Sequence, residues 1–180
     1  MNFQFYLEKL HNSDEFKKFI KENPEAFMCS GFFTIDLEKK DNQRHIDFYI
    51  PKKKEVVSFK LDAVDSHDKN AKGVQKVPTQ GNFGTNIQQD FLEPKEIDSE
   101  IDFDFDEVQK LIEEEIKKQT IKNKLQKIMI SLQKVDGKDL LVCTVFVSMF
   151  GLLSVHIDPK DKKIIKFEKK NFLDFIRKAE

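Results

Sequence analysis

Tryptophan is absent from the 180 residues, and cysteine, proline and glycine are scarce at two, five and six. Two cysteines, Cys29 and Cys143, cannot staple a small secreted scaffold, so the fold has to rest on a packed core. The shortage of glycine and proline excludes a collagenous chain and a Pro/Gly-rich disordered one. Charge of one sign is also lacking, since 31 Lys plus Arg stand against 32 Asp plus Glu for a net charge of −1. With no basic field to gather phosphate backbones or anionic headgroups, nucleic acid and membrane surfaces drop out of the expected partners. The opening MNFQFYLEKLHN lacks the charged start, apolar run and small-residue cleavage site of a signal peptide. The expectation is a cytoplasmic protein with reduced thiols.

What the chain has is phenylalanine, 18 residues of it, within a composition 39% hydrophobic and 35% charged. A chain of this length can bury roughly 70% of its unfolded surface, so an aromatic-rich core is within reach. One stretch, Leu140 to Ile157, contains no Asp, Glu, Lys or Arg and has the length at which a membrane span has to be considered. Its density of Val, Thr and Phe and the interrupting Gly151 predict instead two buried strands joined by a tight turn at Phe150-Gly151.

The chain also repeats itself. DEFKKFIKE at Asp14 to Glu22 returns as DEVQKLIEE at Asp106 to Glu114, FMCSGFFTI at Phe27 to Ile35 as LVCTVFVSM at Leu141 to Met149, and PKKKEVVSFK at Pro51 to Lys60 as PKDKKIIKFE at Pro159 to Glu168. Three matches in one order predict two copies of a single module. The copies differ in length only at connections, where insertions are tolerated.

Within the first copy, Ser13 is placed to cap a helix from Asp14 that Asn23-Pro24 stops. Strands follow at Met28 to Leu37, Arg44 to Ile50 and Glu55 to Leu61. In the second, Ile101, Phe103 and Phe105 alternate with Asp102, Asp104 and Asp106, which predicts a half-buried strand running into a helix capped by Asp106. Strands are expected at Leu125 to Lys134, closed by the Asp136-Gly137 turn, then at Asp139 to Met149, Leu152 to Ile157 and Lys163 to Glu168. A closing helix, Asn171 to Lys178, follows. Phe146, Val155, Phe167 and Leu111 are expected to be buried together. The fold class is α+β, two tandem helix-plus-antiparallel-sheet (α-β-β-β) repeats related by pseudo-symmetry. The domain division is 1–62, an irregular linker 63–100, and 101–180. The linker can carry short edge strands at Val74 to Val77 and Ile87 to Phe91, and connections of this length tend to be functional.

Chemistry is sparse. Asp102, Asp104 and Asp106 with Glu113 echo a calcium loop, but Glu107 stands where the sharp turn needs glycine. His11, His45, His67 and His156 have no metal-ligand spacing, no phosphate loop or C-x-x-C occurs, and GNFG at Gly81 to Gly84 reads as a turn. No cofactor and no metal is expected. The one candidate catalytic set is Cys143, His156 and Asp158. A turn centred on Phe150-Gly151 would place Cys143 opposite Asp158 and Val145 opposite His156, with all three polar groups on one face, as a thiolate with its base and orienting carboxylate requires. In the first copy Cys29 is kept while Phe48 and Ile50 take the other two places, which favours the cysteine as a buried hydrophobe.

The helix DEVQKLIEEEIKK followed by strands ending VHIDPKDKKIIKFEKK resembles PepSY-type modules, in which "I-D" precedes a turn and a closing strand; here these are Ile157-Asp158, Pro159 to Lys162 and Ile164 to Glu168. The resemblance covers Asp106 to Lys169 and, more loosely, Asp14 to Leu61. It implies a cystatin-like α+β arrangement and a non-catalytic binding or inhibitory role, often outside the cytoplasm, and it carries no catalytic residues. The functional expectation is a non-enzymatic module binding a protein or peptide. The alternatives are a small cysteine-dependent enzyme using Cys143, His156 and Asp158, and a structural protein that self-associates, as a homodimer, through sheet edges.

Overall fold

A computed structural model of the chain describes residues 2–39, 42–61, 73–77, 93–149 and 151–170. The helices are α1 (Phe3–Asn12), α2 (Asp14–Glu22) and α3 (Phe105–Lys118). The strands are β1 (Phe27–Asp36), β2 (Arg44–Ile50), β3 (Glu55–Lys60), β4 (Gln75–Val77), β5 (Leu125–Val135), β6 (Lys138–Val147), β7 (Gly151–Asp158) and β8 (Lys163–Lys170). The protein is α+β, with one antiparallel eight-stranded sheet in the order β4-β3-β2-β1-β5-β6-β7-β8. The strand order runs outward in both directions from the β1·β5 pairing. That pairing spans Gly31 opposite Leu132 to Asp36 opposite Lys127 and joins the two predicted halves edge to edge.

Local signals explain the elements. The Ser13 hydroxyl accepts from Phe16 N at 3.2 Å and starts α2, and Asn23 N–H bonds to Phe19 O at 2.9 Å to end it. The Asn23 side chain, itself buried, donates to the same Phe19 carbonyl and accepts from Lys53 Nζ at 2.8 Å, which ties the helix end to the β2–β3 turn. Asp136 and Gly137 both hold positive φ, as a two-residue hairpin between twisted strands requires.

Four expectations are corrected. First, Phe3, Tyr6, Leu7 and Leu10 sit at helical spacing and form the buried stripe of α1, for which the sequence reading had no element. Second, residues 101–103 make no strand; the isolated bridge beside them pairs Asn2 with Asp104. Asp104, not Asp106, caps α3, its carboxylate accepting from Asp106 N at 2.8 Å and Glu107 N at 3.1 Å. The burial alternation does hold, with Ile101, Phe103 and Phe105 buried. Third, the turn between β6 and β7 is not centred on Phe150-Gly151, since Val147 pairs with Gly151. Fourth, Phe146 pairs with Leu152 on the face away from the helices and is half-buried, while Leu111 and Phe167 are partly buried against the core and Val155 is fully buried in it. The predicted closing helix 171–178 and the strand 87–91 lie outside the described residues.

The three helices among the described residues cover one face. Phe3 meets Phe33 edge-on at 5.7 Å, Phe16 meets Phe48 at 4.9 Å, Phe19 meets Phe59 at 5.1 Å, and Val108 and Ile112 of α3 join Leu141 and Val145 in the same core. Gly31 makes room for this packing, because a Cβ there would stand 2.8 Å from the Phe33 ring. The uncharged run Leu140 to Ile157 divides between β6 and β7, and among the described residues no helix is long and apolar enough to cross a membrane.

Candidate functional site

The β6–β7 connection decides the fate of the cysteine candidate. Val147 pairs with Gly151, so the loop is the three residues 148–150 with Met149 at φ 61°, rather than a two-residue turn at Phe150-Gly151. The longer loop shifts the register. Cys143 stands opposite Val155, and His156 opposite Val142. Because neighbours along a strand point to opposite faces, Cys143 lies on the helix-covered face and His156 on the other. Cys143 is fully buried, and burial pushes its thiol up to about 12. Asp158 shares the face of His156, but its carboxylate accepts from Lys160 N at 3.0 Å and Asp161 N at 3.1 Å and so shapes the β7–β8 turn. Burial, with Lys166 alongside, lowers the His156 pKa. The structure brings these three residues to no common point. Cys29 is buried too, its thiol raised to about 12 by burial and then by the Asp47 charge.

The calcium-like aspartates are already employed. Asp102 accepts from Asn2 Nδ2 at 2.9 Å and from Gln4 N at 3.1 Å, holding the start of α1, and Asp104 caps α3. Among the described residues no group of three or more His, Cys, Asp or Glu is arranged to hold a metal ion. His11 packs on the Phe16 ring at 5.0 Å, and His45 Nδ1 stands 3.5 Å from Ser58 Oγ. His67 and the GNFG at 81–84 lie outside the described residues.

A different region gathers polar groups. Beyond Gly31 the strands β1 and β5 part, and the segment 96–104 enters the gap: Ile97 N donates to Met28 O at 2.9 Å and Asp98 N to Asp139 Oδ2 at 3.2 Å. The Asp139 side chain is 6% exposed; its Oδ1 lies 3.0 Å from Lys134 Nζ in an ion pair but makes no hydrogen bond, and its Oδ2 takes the one from Asp98 N, so the buried charge is paired and half hydrogen-bonded. Lys160 reaches across from the β7–β8 turn to Asp98 at 2.8 Å, and Lys162 to Glu107 at 2.8 Å. The Lys160 bond holds the Asp98 carboxyl below its usual range, and Asp98 in return raises the lysine.

Two open clefts flank this strap. One, of about 620 Å³, is lined by Glu96, Asp98, Lys134, Asp139, Lys160 and Asp161 among others. The second, of about 700 Å³, shares Lys160 and adds Asp102, Asp104, Glu107 and Lys162. Small-molecule sites are concave and mostly apolar, whereas these are open and lined with charge. Sequence reasoning missed Asp98, Asp139 and Lys160. The visible signal was Glu96 to Glu107, seven of whose twelve residues are acidic and none basic; the lysines that answer it come from the distant β7–β8 turn.

The chain matches no protein-family model and no curated protein. Among solved structures it is similar to the crystal structure of a "putative lipoprotein" from Clostridium difficile 630, with a TM-score of 0.51 and 13% identity over 87% of this chain and 91% of that one. At that identity the likeness concerns the fold alone.

Proposed function

We propose that the chain is a non-enzymatic module that binds a protein or peptide, docking it along the charged strap 96–104 and the β7–β8 turn. The observation that carries this reading is the pair of open clefts on either side of Lys160, built from charges whose partners lie on separate elements. Both thiols are sealed by packing, which argues against the cysteine-dependent alternative. A cytoplasmic location accords with two free, buried cysteines. The PepSY-like resemblance and the repeat belong to the same proposal: the matched segments fall on α2, β1 and β3 in one half and on α3, β6 and β8 in the other, and a duplicated binding module is the simplest origin for that order.

The test is capture of a partner by the purified chain, followed by hydrogen exchange and by the charge reversals Lys160→Glu and Asp98→Lys. Protection of 96–104 and 159–162, lost in each reversal, is the expected result. A partner held equally well by both variants would remove the strap from the account. Alkylation of Cys143 faster than in the unfolded chain would move the reading to the cysteine enzyme.

A further inference from the structure

β8 lies at the end of the sheet, and among the described residues β7 is its one strand neighbour. Its sequence, KIIKFEKK, carries lysines at the edge, the usual device against indiscriminate strand pairing. A bulge between the His156 and Ile157 pairings breaks its alternation and leaves Ile165 47% exposed. From Lys166 to Lys170 the pairing with β7 is regular. Lys166 and Lys170 both reach Glu168, at 3.2 and 3.7 Å, on an accessible surface.

Those charges select one partner. When two copies of a strand pair antiparallel about a two-fold axis perpendicular to the sheet, both keep the same face up, so one residue must stand on the axis. With Lys166 on the axis, lysine opposes lysine there. With Glu168 on it, glutamate opposes glutamate and Lys166 opposes the other copy's Lys170. With Phe167 on it, each Lys166 opposes the other copy's Glu168, Ile165 opposes Lys169, and no like charges meet. We infer that β8 is the contact edge of a weak two-fold dimer of this chain, with Phe167 on the axis and two reciprocal Lys166–Glu168 pairs setting the register. Opposite charges directly across an antiparallel pair stabilise it and like charges destabilise it, so among axes within the regular stretch 166–170 the one at Phe167 alone answers the lysines with Glu168 and brings no like charges together. A single strand edge covers less than the ~1,200–2,000 Å² of a standard interface, so the dimer dissociates on dilution.

Sedimentation equilibrium of the full chain, up to about 1 mM, tests this. The wild-type protein should show a concentration-dependent dimer. Lys166→Glu and Glu168→Lys should each weaken it by about tenfold or more, because two favourable pairs become two unfavourable ones. An equimolar mixture of the two variants should associate again as a heterodimer, since each then presents the charge the other needs. Both positions are accessible, and circular dichroism checks that the variants fold; for the wild-type chain alone, the amides of 166–170 should exchange more slowly as concentration rises. A monomer throughout, variants that dimerise like the wild type, or a mixture no stronger than its components would overturn the inference.

Discussion

The two ends of the sheet reach the same architecture with different side chains. Over β1 to β3 the covered face is aromatic: Phe33, Phe48 and Phe59 meet Phe3, Phe16 and Phe19 from the helices above. Over β5 to β7 it is aliphatic, with Ile128, Ile130, Leu132, Leu141, Val145 and Val155 all fully buried. The covering helices differ in the same sense. The nine-residue α2 buries Phe16 and Phe19, whereas the 14-residue α3 buries Phe105, Val108, Ile112 and Ile116. Ring pairs at these separations add about 0.5–1.5 kcal/mol each beyond the area they bury.

The largest effect that comparison predicts is at Phe33, fully buried and in contact with the rings of Phe3, Phe103 and Phe105. Phe33→Ala should cost about 3–5 kcal/mol in urea unfolding, through lost transfer energy and the cavity left behind. A cost near 1 kcal/mol would show that the aromatic half is loosely packed.

Next come the thiols, one in each half. Each has a folded-state pKa raised from 9.0 to about 12. The unfolded chain therefore loses these protons first, so the stabilisation is complete below about pH 9 and is lost as pH rises toward 12. Stability measured across that window should fall less steeply in Cys143→Ala than in the wild type. Parallel slopes would mean that the thiol is not sealed.

Phe146 compares the two faces of one strand. It is half-buried opposite Leu152, so Phe146→Ala should cost well under the Phe33 value, about 1 kcal/mol. The smallest effects separate the two caps. Ser13→Ala and Asp104→Ala should each cost about 1 kcal/mol, seen as equal shifts in the urea midpoint. An unchanged midpoint for Asp104→Ala would return the start of α3 to Asp106.

The strands were legible because alternation and turn chemistry are local. Arg44–Ile50 matches its expected bounds, the Asp136-Gly137 turn closes the hairpin where expected, and the edge strand at 75–77 lies within the one anticipated at Val74 to Val77. Loop length was not legible, since a three-residue connection with Met149 at positive φ carries no glycine to announce it. That one residue of loop moved His156 to the face opposite Cys143 and dissolved the candidate triad. The strap was equally hidden. Its acidic residues are plain in the sequence, but Lys160 and Lys162 reach Asp98 and Glu107 only because the sheet brings the β7–β8 turn to that end. Joining the halves into one sheet depends on β1 and β5, which are 88 residues apart from the end of one to the start of the next, Asp36 to Leu125 counted exclusively.

Cross-strand nuclear Overhauser contacts between β1 and β5 test the central claim, that the two halves form one sheet, most directly. Contacts linking Phe32 to Ser131 and Thr34 to Met129, with none in a register shifted by one residue, are the predicted result. Their absence, with the pairings within β1 to β3 and within β5 to β8 intact, would mean two separate sheets and would contradict the account.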